Sequence, residues 1–301
     1  VQRLLKELKE EKVQGIVIDL RDNGGGSLQE ANSLVGLFIG LGPTVQVRNA
    51  NGRIDIIRDH DPKLTYSGPL VVLVNRMSAS ASEIFAGAIQ DYNRGIIIGE
   101  QTFGKGTVQS LLPLSKGQLK ATTAKYYRIS GKSTQNKGVL ADLDYPSVYN
   151  AEEIGESSLP EALPYDQVNS IPYQIYYNMK DLLPKLNEKF ISRMKLNPDY
   201  EYVLARKKRI EEMSSKKEIS LSEPLRLQES KEADQWRLDL ENKLRFSKGE
   251  PPLESLTELN DDESAGPHAS EIDIKNPFIV QAAEVTVDFI ELVTDSMTAH
   301  R

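Results

Sequence analysis

Cysteine is absent from the 301 residues, which excludes disulfides, thiolate metal sites and a cysteine nucleophile. The absence assigns no compartment, because a cysteine-free chain tolerates either redox environment. Histidine is scarce: His60, His268 and His300 stand far apart in polar surroundings and suggest neither a histidine base nor a metal site. No apolar run approaches the roughly 20 residues that a membrane-spanning helix needs. An excess of positive charge is also missing; the net charge of −7 argues against an extended nucleic-acid surface. What is present, 39% hydrophobic and 27% charged residues, fits a globular chain of one large or two ordinary domains.

Residues 1–148 read as one α/β unit. A helix over about 1–12 leads into Gly15-Ile16-Val17-Ile18-Asp19-Leu20, a short apolar run of the kind buried in a parallel sheet. Asp22-Asn23-Gly24-Gly25-Gly26 ends it, and a helix is predicted over about 28–40. Thr44 to Arg58 alternates around Asn51-Gly52, a strong hairpin signal. Pro69–Asn75 and Gly95–Gly99 are further buried strands flanking a helix at about 80–92. Strands follow at about 107–113 and 118–129. Residues 149–170, acidic and proline-containing, read as a linker or strap. Residues 171–301 read as a mainly helical domain. Within it, 248–275 has the composition of a mobile connector, and a last amphipathic helix is predicted over about 276–296. Its stripe of Phe278, Ile279, Val285 and Phe289 suits packing against the core or a partner. The chain opens at Val1 inside an apolar-periodic segment, and is expected to be a fragment lacking an N-terminal part and any targeting signal.

Chemistry concentrates in two stretches. Ser78-Ala79-Ser80-Ala81-Ser82-Glu83 lies between a buried strand and a helix. Taken alone, alternating Ser and Ala also suits an ordinary helix start with a serine N-cap. A serine at a strand-to-helix turn, however, exposes its hydroxyl beyond the sheet edge, with the next N–H aimed at the same spot. Twenty-five residues on, Lys105 sits between Gly104 and Gly106. The stretch Gly99-Glu100-Gln101-Thr102-Phe103-Gly104-Lys105-Gly106 nearly spells a phosphate-binding loop. Yet Gly106 stands where a hydroxyl would hold magnesium, and Thr107–Leu112 reads as strand where a helix is required. A serine hydroxyl needs a base to take its proton, and a lysine serves when its surroundings keep it neutral. Gln109 shares the pleat parity of Lys105 and could hydrogen-bond its amine. The glycines 24–26 form either a plain turn or a nest of N–H groups for an anion. Asp261, Asp262 and Glu263 read as linker acids, so no metal or cofactor is expected.

Three blocks together resemble the carboxy-terminal processing proteases, serine peptidases with a Ser–Lys dyad. They are Asp19–Gly26, Asn75–Ile84 and Gly99–Gln109, in order and with the dyad spacing kept. Gly155-Glu156-Ser157 and Ala162-Leu163-Pro164-Tyr165-Asp166 resemble the tail-specific branch of Gram-negative bacteria. The resemblance covers nearly the whole chain, more loosely after 260. It implies Ser80 as nucleophile, Lys105 as general base and Gln109 as the residue orienting it. It further implies an oxyanion hole from the N–H groups of Ala81 and Gly26, with Gly25 as the alternative second donor. The implied fold is a crotonase- or ClpP-like βαβ spiral with hairpin additions, followed by a helical C-terminal domain. The implied activity is cleavage of proteins with unstructured, apolar C-termini in the periplasm, with an envelope adaptor as a further partner. A PDZ domain would precede Val1. The competing reading is a non-catalytic crotonase-like scaffold or binding module acting through the helical half.

These motifs predict that peptide cleavage by this protein survives EDTA and is indifferent to ATP. A strict requirement for either, in a peptidase assay, would restore the phosphate-loop reading or reveal a metal site.

Overall fold

The computed structural model describes residues 1–150, 152–257 and 273–299. Its centre is a parallel sheet of β1 (Ile16–Asp19), β4 (Leu70–Val74), β5 (Ile96–Gly99) and β8 (Leu143–Asp144), in that spatial order. The sequence explains the order. All five residues of Leu-Val-Val-Leu-Val in β4 are buried, as suits a central strand covered on both faces. Side chains alternate across the sheet. Val72, Val74 and Ile97 face α2 (Leu28–Ile39) and α3 (Ala81–Asp91), meeting Val35, Phe38, Phe85 and Ile89. Val71, Leu73, Ile96 and Ile98 face the opposite way.

A second, antiparallel sheet runs in the order β3 (Ile54–Asp59), β2 (Gly42–Asn49), β7 (Gln118–Tyr127), β6 (Thr107–Pro113). The β2–β3 hairpin turns at Asn51-Gly52, with Gly52 at φ 84°. Helix α1 (Gln2–Glu10) inserts Leu5 into the cluster beneath α2 and α3. The short β8 pairs with β5 and has no signature in the sequence; two residues carry no periodicity.

The C-terminal half contains α4 (Met179–Met194), α5 (Pro198–Ser214), α6 (Glu223–Ser247) and α7 (Pro277–Ala299). It does not form one independent helical block. Met179, Leu186, Phe190 and Met194 of α4 and Ala282, Val285 and Phe289 of α7 share a single apolar cluster with Val71, Leu73, Ile96 and Ile98. The two helices therefore close the second face of the parallel sheet. By contrast, α6 buries no residue. A boundary at 148 thus separates segments of sequence but not two cores. Much of the 248–275 connector, with Asp261, Asp262, Glu263 and His268, lies outside the described residues, as does His300.

Phe289 is fully buried and meets the Tyr177 ring edge-on at 5.1 Å. Phe289→Ala is expected to cost about 3–5 kcal/mol, read as a lowered urea midpoint. Ending the chain at residue 170 would bare the Val71, Leu73, Ile96 and Ile98 face. Such a truncation should lose cooperative unfolding and precipitate; a soluble, cooperatively folded product would show that α4 and α7 are accessories.

Candidate active site

Loops leaving the C-terminal ends of β1, β4 and β5 converge at one edge of the parallel sheet, the usual place for a site in such folds. They are the glycine loop after β1, the serine run after β4 and the lysine turn after β5. Asn75 joins the first two. Its Oδ1 accepts the N–H groups of Asp22 at 3.0 Å and Met77 at 3.1 Å, and its Nδ2 donates to Asp22 Oδ1.

The serine run divides by role. Ser78 is buried, donating to Leu20 O at 2.7 Å and accepting from Asn75 N. Ser82 donates to Asn23 at both its main-chain O and its Oδ1. Both hydroxyls are committed to joining the serine run to the β1 loop. Ser80 lies between them at the N-cap of α3, half-buried on the cleft wall, with φ 56° and ψ −112°. A non-glycine residue rarely adopts positive φ and stores strain there.

Gly25, at φ 90°, runs against this turn so closely that a Cβ would stand 2.5 Å from Ala79 O and 2.9 Å from Ser80 Cβ. Only glycine allows that approach. The Gly25 N–H donates to Asn23 Oδ1 at 3.0 Å and is therefore already engaged. The N–H groups of Gly26 and Ala81 have no hydrogen-bond partner among the described residues, and both residues line the same cleft.

Lys105 is half-buried, and its Nζ donates to Gln109 Oε1 at 3.2 Å. No hydrogen bond links Nζ to Ser80 in this arrangement. The main chain of the lysine turn is tightly held. Phe103 N donates to Ser78 O, Asn136 N to Gly104 O, and Gly106 N to Gln135 Oε1 at 2.9 Å. Gln135 in turn donates to Glu156 Oε1 and Leu163 O, so the strap after residue 149 braces the turn from behind.

The residue that unites the site is Glu83. It is fully buried, and its Oε1 accepts from Thr102 Oγ1 at 2.6 Å and Gly104 N at 2.7 Å. Its Oε2 accepts from Ser80 N at 2.8 Å and Lys105 N at 2.9 Å. Burial pushes the Glu83 carboxyl up to about 7, against the opposing pull of these four donors. The motif signals pointed to Ser80 and Lys105 but assigned Glu83 no role. The available clue was its position three residues after Ser80, the spacing of a capping box.

Ser80, Lys105, Gln109, Gly26 and Ala81 all line one cleft of about 480 Å³, with Tyr126 at its side. A second cavity of about 470 Å³ adjoins it through Gly25, Gly26 and Ala81, lined by Leu20, Leu34, Leu37 and Phe85. No group of three or more metal-ligating side chains occurs among the described residues. Chemically, the arrangement offers a hydroxyl, an amine and two free N–H donors beside an apolar cavity.

Residues 1–145 match the model of peptidase family S41, and residues 149–291 match the C-terminal domain of tail specific protease. The chain is 38% identical to the tail-specific protease of Haemophilus influenzae, over 98% of its own length and 43% of that protein's. It is 41% identical to the carboxy-terminal-processing protease of Bartonella bacilliformis, over 53% of this chain and 38% of the other. Among solved structures it is similar to a photosystem II D1 C-terminal processing protease. That match has 37% identity and a TM-score of 0.46, covering 50% of this chain and 39% of the other. The chain thus spans less than half the length of these curated relatives. It belongs to peptidase family S41, with the C-terminal domain of the tail-specific proteases as its second half.

Proposed function

We propose that this chain carries the catalytic centre of a C-terminal processing serine endopeptidase, acting through a Ser80–Lys105 dyad. The observation that carries the reading is the shared anchor: one buried carboxylate binds the N–H groups of both residues beside one cleft. Ser80 Oγ attacks the scissile carbonyl carbon while neutral Lys105 Nζ takes its proton. The carbonyl oxygen gains the negative charge and is received by the N–H groups of Ala81 and Gly26. Each such donor contributes about 2.7–4 kcal/mol to lowering the barrier. Collapse breaks the C–N bond, and Lys105 returns the proton to the departing amine. A water then loses its proton to Lys105 and attacks the ester, which releases the acid and restores Ser80. Gln109 orients the lysine through the Nζ–Oε1 contact. The adjoining apolar cavity suits an apolar residue of an unstructured protein tail. The setting proposed for this work is the periplasm, with an envelope adaptor as a further partner.

Ser80→Ala and Lys105→Ala should each abolish cleavage of an apolar-tailed, unfolded protein without unfolding the enzyme. Lys105→Arg should be equally inactive, because a guanidinium stays charged at any usable pH. Near-normal turnover by any of these variants would remove the dyad.

Glu83 adds a second pH effect. Its four donors require the charged carboxylate, so activity should fall as pH drops through about 7. Stability should move the other way. The folded carboxyl, at about 7, holds its proton above the ordinary 4.5, so its stabilising contribution is full below 4.5 and lost as pH rises to about 7. Urea midpoints and kcat/KM measured together across this range test both signs. Glu83→Gln should flatten the stability trend and lower kcat.

A further inference from the structure

Ser80 and Lys105 are each held at both main-chain groups by the same two side chains. Glu83 receives their N–H groups. The Tyr126 hydroxyl reaches their carbonyl oxygens, Ser80 O at 3.1 Å and Lys105 O as well. We propose that Tyr126 is a positioning residue of the serine–lysine centre, its hydroxyl tethering the two turns so that amine and serine hydroxyl meet at the substrate carbonyl. The inference rests on the dyad reading above.

Three features make the tyrosine a rigid lever. Its ring is packed with Ala31, Val45 and Ile84, so the hydroxyl position is set by the core. Strand β7, which carries it, lies between β2 and β6 in the antiparallel sheet. Its own N–H donates to Gly106 O at 2.9 Å, so Tyr126 grips the lysine turn by main chain and side chain together. Burial, with the nearby Glu83 charge, holds the phenol well above its ordinary range, and the hydroxyl stays a donor at any usable pH.

Neither carbonyl depends on the phenol alone. Ser80 O also accepts Ile84 N at 2.9 Å, and Lys105 O also accepts Thr134 Oγ1 at 3.3 Å. Removing the hydroxyl therefore leaves no unpartnered carbonyl; it removes the common tether. A purely structural tyrosine would register in stability, whereas a tether registers in the chemical step.

The test uses Tyr126→Phe in the natural full-length protein, with a fluorogenic apolar-tailed peptide and a fluorophosphonate that labels Ser80. The expected result is a fall in kcat of about tenfold to a hundredfold, since small misplacements of reacting groups are costly. KM should stay within about twofold. The labelling rate should fall with kcat, and Tm should move by only a few degrees, about that of one lost hydrogen bond. Incorporating 3-fluorotyrosine at 126, which keeps the hydroxyl, should restore kcat. A phenylalanine variant with kcat within about twofold of wild type would overturn the tether. So would failure of that variant to fold, or a loss of activity that 3-fluorotyrosine does not rescue. Ser80→Ala run alongside separates the two levels. An active Ser80→Ala protein sinks the dyad itself, whereas an inactive one beside a fully active Tyr126→Phe sinks only the tether.

Discussion

One carboxylate, sealed from water and still accepting four hydrogen bonds, is the constraint on which the rest of the site depends. Placing a charge in the interior costs several kcal/mol unless its lone pairs are filled, and charge-assisted hydrogen bonds are the strongest way of filling them. Glu83 meets that requirement with three main-chain N–H groups and one threonine hydroxyl, drawn from both the serine turn and the lysine turn. It also stands in the first turn of α3, where the helix dipole favours negative charge. The desolvation that raises its pKa thereby does structural service. Separating the two turns would leave a buried acceptor unfilled, which couples their positions.

The same economy explains the serine run. Positive φ at Ser80 costs on the order of 1–3 kcal/mol and persists only where the surroundings over-determine it. Here the surroundings are explicit. Ala79 N–H donates to Asn23 O, Ser78 and Ser82 bind the β1 loop, and Gly25 fills the space beside the Ser80 Cβ. Two serines thus hold the turn of a third that lines the cleft. The glycine loop combines close approach at Gly25 with an unengaged N–H at Gly26, and these are distinct demands on neighbouring residues.

Most of the parallel sheet was legible because its strands are short, β-branched, apolar runs bounded by Gly, Pro and Asn. The hairpins were legible because Asn51-Gly52 and the alternation around it are local signals. Ser80 and Lys105 stood out by their local settings, a strand-to-helix turn and a glycine-flanked turn, and Gln109 by its pleat parity with Lys105; the roles expected of them came from the resemblance. What stayed hidden was set by distant contacts. Tyr126 sits in a strand pattern like any aromatic, and nothing local reveals that its hydroxyl lies between two carbonyls 46 and 21 residues away. Gln135 and Asn75 hold loops that come together only in three dimensions. The apolar stripe of α7 pointed to the core or a partner, but the surface that α4 and α7 cover, one face of β4 and β5, carries no mark of which segment will cover it.

That last arrangement has a bearing on biogenesis. The start of β1 lies directly under α7: a Cβ on Gly15 would stand 2.3 Å from Thr286 and 3.0 Å from Ile290. The first strand of the sheet is therefore sealed by α7, across some 270 residues of sequence. Contacts of such separation are late and slow to form. A ribosome emits the serine and lysine turns long before it emits the helix that completes the sheet beneath them. The sheet edge that carries Ser80 therefore cannot settle until α7 has been made, and a chain that stops short of α7 is held back by the order in which its own core can be assembled.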